Sequence, residues 1–254
     1  MKEGVIDEPD RKDELVKLFR FTSTHDESGE QNVSLQDYVG RMKEGQKAIY
    51  YITAGNQATA KNSPHLEIFR ENSIEVLLLT DPIDEWLTSH LTEFEGKPLR
   101  SVMKGELDRD ELKEGKDKEE KAAQEDDAVH AELINRMKKI LEGQVKEVRI
   151  THRLTTSPAC LVADEHEMSR HLEQILRASG QEVPVAKPIL EINPAHPIVR
   201  RLETEQDEDR FSDWSRILFD QALLSEGGRL EDPAGFVHRL NRMFLELNES
   251  STGS

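Results

Sequence analysis

Cysteine occurs once in the 254 residues, at Cys160. A single thiol excludes a disulfide framework and makes a reducing, cytoplasmic setting the expectation. Long apolar runs are missing too, so no stretch predicts a membrane span. Residues 1–20 are charged throughout and lack the apolar core of a secretory signal. A basic surplus is also absent: 34 Lys and Arg stand against 51 Asp and Glu, a net charge of −17. So acidic a chain is expected to bind neither nucleic acid nor an anionic membrane surface. Both glycine-rich phosphate loops, G-x-x-x-x-G-K-[ST] and G-x-G-x-x-G, are lacking, so no nucleotide site of either type is expected.

Catalytic and metal patterns are equally thin. His166-Glu167 invites comparison with a zinc protease helix, but the next histidine is His171, five positions on. At 100° per residue it points roughly 140° away, whereas such a site needs histidines four apart on one face. His152, between Thr151 and Arg153, has no identifiable partner for a triad and reads as a strand histidine satisfied locally. Cys160 follows Ser157-Pro158-Ala159 in an apolar strand, where a thiol behaves as a small hydrophobe. The residues therefore predict no enzyme, no metal and no cofactor.

What is present is a run of modest elements. Hydrophobic residues make up 35% of the chain and charged residues 33%, a balance that favours small domains separated by solvated segments. Leu15, Leu18 and Phe19 predict an amphipathic helix over 13–21. Ser34, with Asp37 at the box position, caps a helix carrying Leu35, Tyr38, Val39 and Met42. Ala48 to Thr53 reads as a strand by its β-branched and aromatic content, and Ile74 to Leu79 as another. The unbroken Val76, Leu77, Leu78, Leu79 run implies burial on both faces, as in a parallel pair. Residues 57–70 read as helix broken at Ser63-Pro64, and Asp81-Pro82 opens a helix carrying Trp86. This order makes residues 1–103 a small α/β unit. From Lys104 to Asp127, 17 of 24 residues are charged, which puts a solvated linker over 104–125. Residues 126–248 predict an α+β domain. It has a helix over 127–142, strands over 145–150, 159–162 and 189–192, and a helix over 197–205. Another helix, over 165–179, is opened by an Asp164–Glu167 capping box and stopped by Gly180. The polar tail, 249–254, is expected to be disordered.

The domain ends in two apolar helices. Phe211, Trp214, Leu218 and Ala222 form a stripe on the first, widened by Ile217 and Leu224, with Phe219 and Leu223 on the other side. Gly227 and Gly228 turn the corner, and Asp232-Pro233 opens the second helix. Phe236, Leu240, Met243 and Leu247 make its stripe, with Val237 and Phe244 beside it. One small domain cannot cover so much apolar surface, and a second copy can, as a two-fold four-helix bundle. The expected contact residues are Phe211, Trp214, Ile217, Leu218, Gln221, Ala222, Phe236, Leu240, Met243 and Phe244. Two further apolar features stand out. Met168, Leu172, Ile175 and Leu176 line one side of the 165–179 helix, either against its own sheet or as a strip for binding other proteins. Trp86, beside Glu85, is either a core-edge residue or a surface contact.

Six blocks, in order, carry a resemblance: VSLQDYVGRMKEGQKAIYYITAG (33–55), SPHLEIFRENSIEVLLLTDPIDEW (63–86), FEGKPLRSV (94–102), THRLTTSPACLV (151–162), EINPAHPIVRRL (191–202) and DQALLSEGGRLEDP (220–233). Together they resemble the heat-shock protein 90 chaperones in their bacterial form. The resemblance covers nearly all of the chain except the charged 104–125 segment. It implies the end of the family's middle domain followed by its C-terminal dimerisation domain. The family's ATP and magnesium site and its catalytic arginine loop have no counterpart here. The abrupt start at Met1 suggests an engineered boundary, and the ending Ser250 to Ser254 lacks the eukaryotic acidic docking pentapeptide. The terminal hairpin matches the family's dimerising helices. Glu85 and Trp86 resemble a client-contact patch, and Met168, Ile175 and Leu176 fall in the family's projecting client-contact helix. Ile175-Leu176 stands where close relatives carry Leu-Phe, so apolar character is kept and an aromatic contact is lost. Two readings result: a homodimeric fragment that holds non-native client proteins without ATP turnover of its own, or a purely structural dimerisation module whose apolar strip is covered.

Overall fold

The computed structural model describes residues 2, 4, 11–26, 28–105, 128–165, 167–184 and 186–252, with side chains throughout except at residues 13 and 246–252. The expected linker over 104–125 lies almost wholly outside this range, and so does His166. Over the described residues the chain is a mixed α and β protein with two sheets, and it divides into two compact units. One comprises Met1–Glu120 and Val162–Ala186, the other Lys121–Leu161 and Lys187–Ser254.

The first unit opens with α1 (Lys12–Val16), shorter than the expected helix because Phe19 and Phe21 leave it to enter the core. Strand β1 (Thr22–Ser23) follows, then α2 (Leu35–Arg41). The Ser34 cap forms as expected: its hydroxyl accepts from the Asp37 N–H while the Asp37 carboxylate accepts from the Ser34 N–H. Next come β2 (Ile49–Thr53), α3 (Gln57–Lys61), a 3₁₀ turn over Pro64–Leu66, α4 (Glu67–Glu71), β3 (Leu77–Leu79) and α5 (Asp84–His90). The expected parallel pair is present, with Ile52 opposite Leu78. Unforeseen in the sequence is a hairpin of β4 (Glu93–Phe94) and β5 (Lys97–Ser101). Glu95 and Gly96 turn it with positive φ at both positions, as a two-residue hairpin loop requires. β5 then runs parallel to β2, giving the order β1-β3-β2-β5-β4. Alternate residues of β2 serve two cores: Ile49 packs with Leu77, Leu79 and Leu87, while Tyr50 and Ile52 pack with Leu66, Phe69 and Leu78.

The second unit holds α6 (Ala131–Ile140), β6 (Glu147–Ile150), β7 (Ala159–Val162), and then, after the excursion of 162–186 into the first unit, β8 (Ile189–Ile192). Its sheet has the order β6-β8-β7, with β6 and β8 parallel. Helix α8 (Pro197–Glu203) leads to α9 (Glu208–Ser225) and α10 (Pro233–Thr252). The helix of the excursion, Arg170–Ala178, is labelled α7. α10 passes the end expected at Asn248, since neither glycine nor proline interrupts Glu249 to Thr252. The core joins Leu133 and Met137 of α6, Val148, Leu161 and Leu190 of the sheet, and Phe211, Trp214 and Leu218 of α9.

Candidate functional site

α7 is the short helix expected to present an apolar strip. Its start differs from the expectation: Ser169, not Asp164, is the N-cap, and its hydroxyl accepts from the Leu172 N–H at 3.0 Å. Glu167 is spent in a turn, its N–H donating to the Asp164 carbonyl. Met168 therefore lies just before the helix rather than on it. The C-terminus stops as expected. Gly180, with φ of +83°, lets the Gln181 N–H reach the Leu176 carbonyl and its own N–H reach that of Arg177. No side chain of α7 is fully buried; Leu172, Ile175 and Leu176 are half-buried, and Met168 is 38% exposed.

The segment bearing α7 is held in the first unit by bonds the sequence did not announce. Ala163 pairs with the end of the first sheet, its N–H donating to the Met103 carbonyl and its carbonyl accepting from the Gly105 N–H. Lys104 Nζ donates to the Glu167 carbonyl at 2.6 Å. Burial lowers the lysine's affinity for its proton, and Glu85 and Glu167 oppose that. His171 packs beside Gly55. The Ser169 hydroxyl donates to Glu85 Oε2 at 2.7 Å. The two apolar patches, expected in different domains, thus belong to one compact unit. The mixed-charge run after Lys104 had suggested a single cut, whereas these bonds carry the chain back across it.

Trp86 and Glu85 stand side by side on α5 with opposite fates. Trp86 is half-buried. Glu85 is only 6% exposed and turns its carboxylate to Ser169, so it does not offer that group to solvent as a surface contact would. The sequence missed Ser169, although a serine three residues before Leu172, just ahead of the apolar stripe, is a start signal.

The terminal hairpin is the second surface. α9 closes with Gly227 at φ of +76° and the Gly228 N–H on the Leu223 carbonyl. α10 is pinned back on α9 by Arg239 on Asp220 at 2.9 Å and by Arg242 on Asp213. Of the expected contact residues, Phe211, Trp214, Ile217, Leu218 and Ala222 are buried within their own chain. Phe236, Leu240 and Met243 are half-buried, and Phe244 is 52% exposed. Among the hairpin's described side chains, the large apolar ones left open are Leu224, Val237, Phe244 and Leu245. On α10 the last three lie within about 100° of one another and roughly opposite the Arg239–Met243 face. Gln221 lines a cavity of about 320 Å³ with Leu218, Ala222, Leu224, Ser225 and the Ser157–Ala159 segment.

His152 lies just past the end of β6 rather than within a strand. Cys160 is 1% exposed, and burial followed by the nearby Glu191 pushes its thiol well above the usual range. Among the described residues no group of three or more His, Cys, Asp or Glu is placed to hold a metal, and no helix is long and apolar enough to cross a membrane.

The family described as Hsp90 protein matches residues 1–252, and the chain belongs to that family. It is similar to the Chaperone protein HtpG of Nitrosospira multiformis, 57% identical over 255 residues, which covers 100% of this chain and 38% of that protein. The proteins of the same name from Nitrosomonas europaea and Methylococcus capsulatus are 56% and 55% identical, over 97% of this chain and 38% and 39% of theirs. The chain thus spans about two fifths of the length of the curated relatives it matches.

Proposed function

We propose that this chain is the client-holding and dimerising portion of a bacterial Hsp90-type chaperone. It binds non-native protein along Trp86, Met168, Leu172, Ile175 and Leu176, pairs with a second copy through α10, and takes no nucleotide itself. The observation that carries client holding is α7: an amphipathic helix without a single buried side chain, in the same unit as Trp86. Half-exposed Met, Ile and Leu side chains adapt to the mixed surfaces of unfolded chains better than a fixed pocket would. The kinship with proteins named as chaperones supports the same reading. The cytoplasm is the setting that the lone cysteine suggests.

The purely structural reading has one observation in its favour, since Leu172, Ile175 and Leu176 are only partly open. The two separate by experiment. Met168→Ser with Ile175→Ser and Leu176→Ser, and separately Trp86→Arg, should weaken suppression of a client's aggregation. Melting should fall only modestly, because none of these side chains is fully buried. A triple variant that melts normally and suppresses aggregation like the parent would hand the case to the structural module.

A further inference from the structure

We propose that Glu85 is a positioning residue: it clasps Ser169 and so fixes the N-terminus of α7, making the Trp86 patch and the α7 strip one holding surface instead of two hinged ones. This deepens the client-holding reading and rests on it. Three observations converge. The Ser169 hydroxyl is shared, donating to Glu85 Oε2 at 2.7 Å and accepting from the Leu172 N–H at 3.0 Å, so one side chain both caps α7 and ties it to α5. Glu85 is 6% exposed, and its other oxygen is buried without a hydrogen-bond partner among the described residues. A carboxylate kept in so poorly solvated a place, beside half-buried Trp86, has the Ser169 hydroxyl as its hydrogen-bond donor and Lys104 as a nearby cation. Third, the segment is already tethered just upstream by Ala163 and by Lys104 on the Glu167 carbonyl. Those bonds end two residues before Ser169, and past them the Ser169 bond to Glu85 ties the start of α7 to α5, with His171 beside Gly55.

The test is amide hydrogen exchange on the full chain for Glu85→Ala, Glu85→Gln, Ser169→Ala and the Glu85→Ala/Ser169→Ala pair. A hydrogen bond to a charged group is strong enough that losing it should speed exchange over Leu172 to Leu176 roughly tenfold or more. Amides of Ile49 to Thr53 should keep their rates. Glu85→Gln retains an acceptor oxygen and should restore most of the protection. The double variant should exchange no faster than Ser169→Ala alone, because both changes break the same bond. If Glu85→Ala lowers the melting of the whole unit, the comparison of Ser169→Ala with the double variant still reports the bond. Unchanged α7 exchange in Glu85→Ala, or additive effects in the double variant, would overturn the clasp. The failure of the underlying reading looks different: α7 would loosen as described while the triple serine variant still suppressed aggregation.

Discussion

Glu191 sits beneath two guanidinium groups with 2% of its surface exposed. Arg149 approaches Oε1 to 2.6 Å and Arg153 approaches Oε2 to 2.6 Å. Burial alone would raise its carboxyl, but Arg153 and then Arg149 overcome that and hold it below the usual value. A folded-state value below the unfolded one contributes stability that is fully present above the unfolded value. That stability drains away as pH falls from about 4.5 through the lowered folded value. The second unit should therefore lose stability in acid, and Glu191→Gln should remove this part of the loss. Breaking a buried pair by one partner costs about 3–5 kcal/mol. At neutral pH the variant should melt roughly 10 °C lower or more, as calorimetry would record; an unchanged melting temperature would contradict the buried cluster. None of this was legible in the sequence. Ile189 to Ile192 announced a strand, but the arginines that neutralise Glu191 lie 42 and 38 residues away along the chain. Cys160 shares this environment, and its burial was readable because its strand is apolar.

The helices show where pattern reading works and where it stops. The apolar period put α9 where its stripe of Phe211, Trp214, Leu218 and Ala222 lies, and the local Asp232-Pro233 signal gave α10 its start. Period also says that a face is buried, but not against which chain. Phe211, Trp214 and Leu218 form a stripe that could serve either purpose, and they turn out to face the sheet of their own unit. α7 was misjudged at its start for a related reason: Asp164 and Glu167 satisfy the box spacing as well as Ser169 satisfies the cap. The β4–β5 hairpin escaped because β4 has only two residues and β5 carries Lys97, Pro98 and Arg100, which do not read as a strand. At the α9–α10 corner the local signal was right and its stringency can be tested. A Cβ on Gly228 would fall 2.8 Å from the Leu223 carbonyl oxygen and collide with the Leu223 side chain. Gly228→Ala should cost about 1–3 kcal/mol through this crowding, read as an earlier midpoint in chemical denaturation. A midpoint equal to the parent's would mean the corner is slack.

For the whole molecule, the expected behaviours are pairing and indifference to nucleotide. With no phosphate-cradling loop in the sequence, ATP at millimolar concentration should leave the melting temperature unchanged. A ligand at a hundredfold over its dissociation constant would add ~2.7 kcal/mol, so a reproducible rise would count against this. Pairing rests on the outer face of α10, where Val237, Phe244 and Leu245 are open while the inner face is pinned by Arg239 and Arg242. Burying a half-exposed phenylalanine contributes on the order of 1–2 kcal/mol, and two-fold symmetry counts it twice. Phe244→Glu should therefore weaken a dimer roughly thirtyfold to a thousandfold without disturbing the core. Leu218→Ala, by contrast, should destabilise the second unit itself, since Leu218 is 1% exposed within one chain. The most direct test of the client-holding dimer is the light-scattering mass of the intact chain at micromolar concentration, beside that of Phe244→Glu. Pairing through α10 predicts twice the chain mass for the parent and a single chain mass for a variant that melts normally. A monomeric mass for the parent, or an undiminished dimer in the variant, would contradict it.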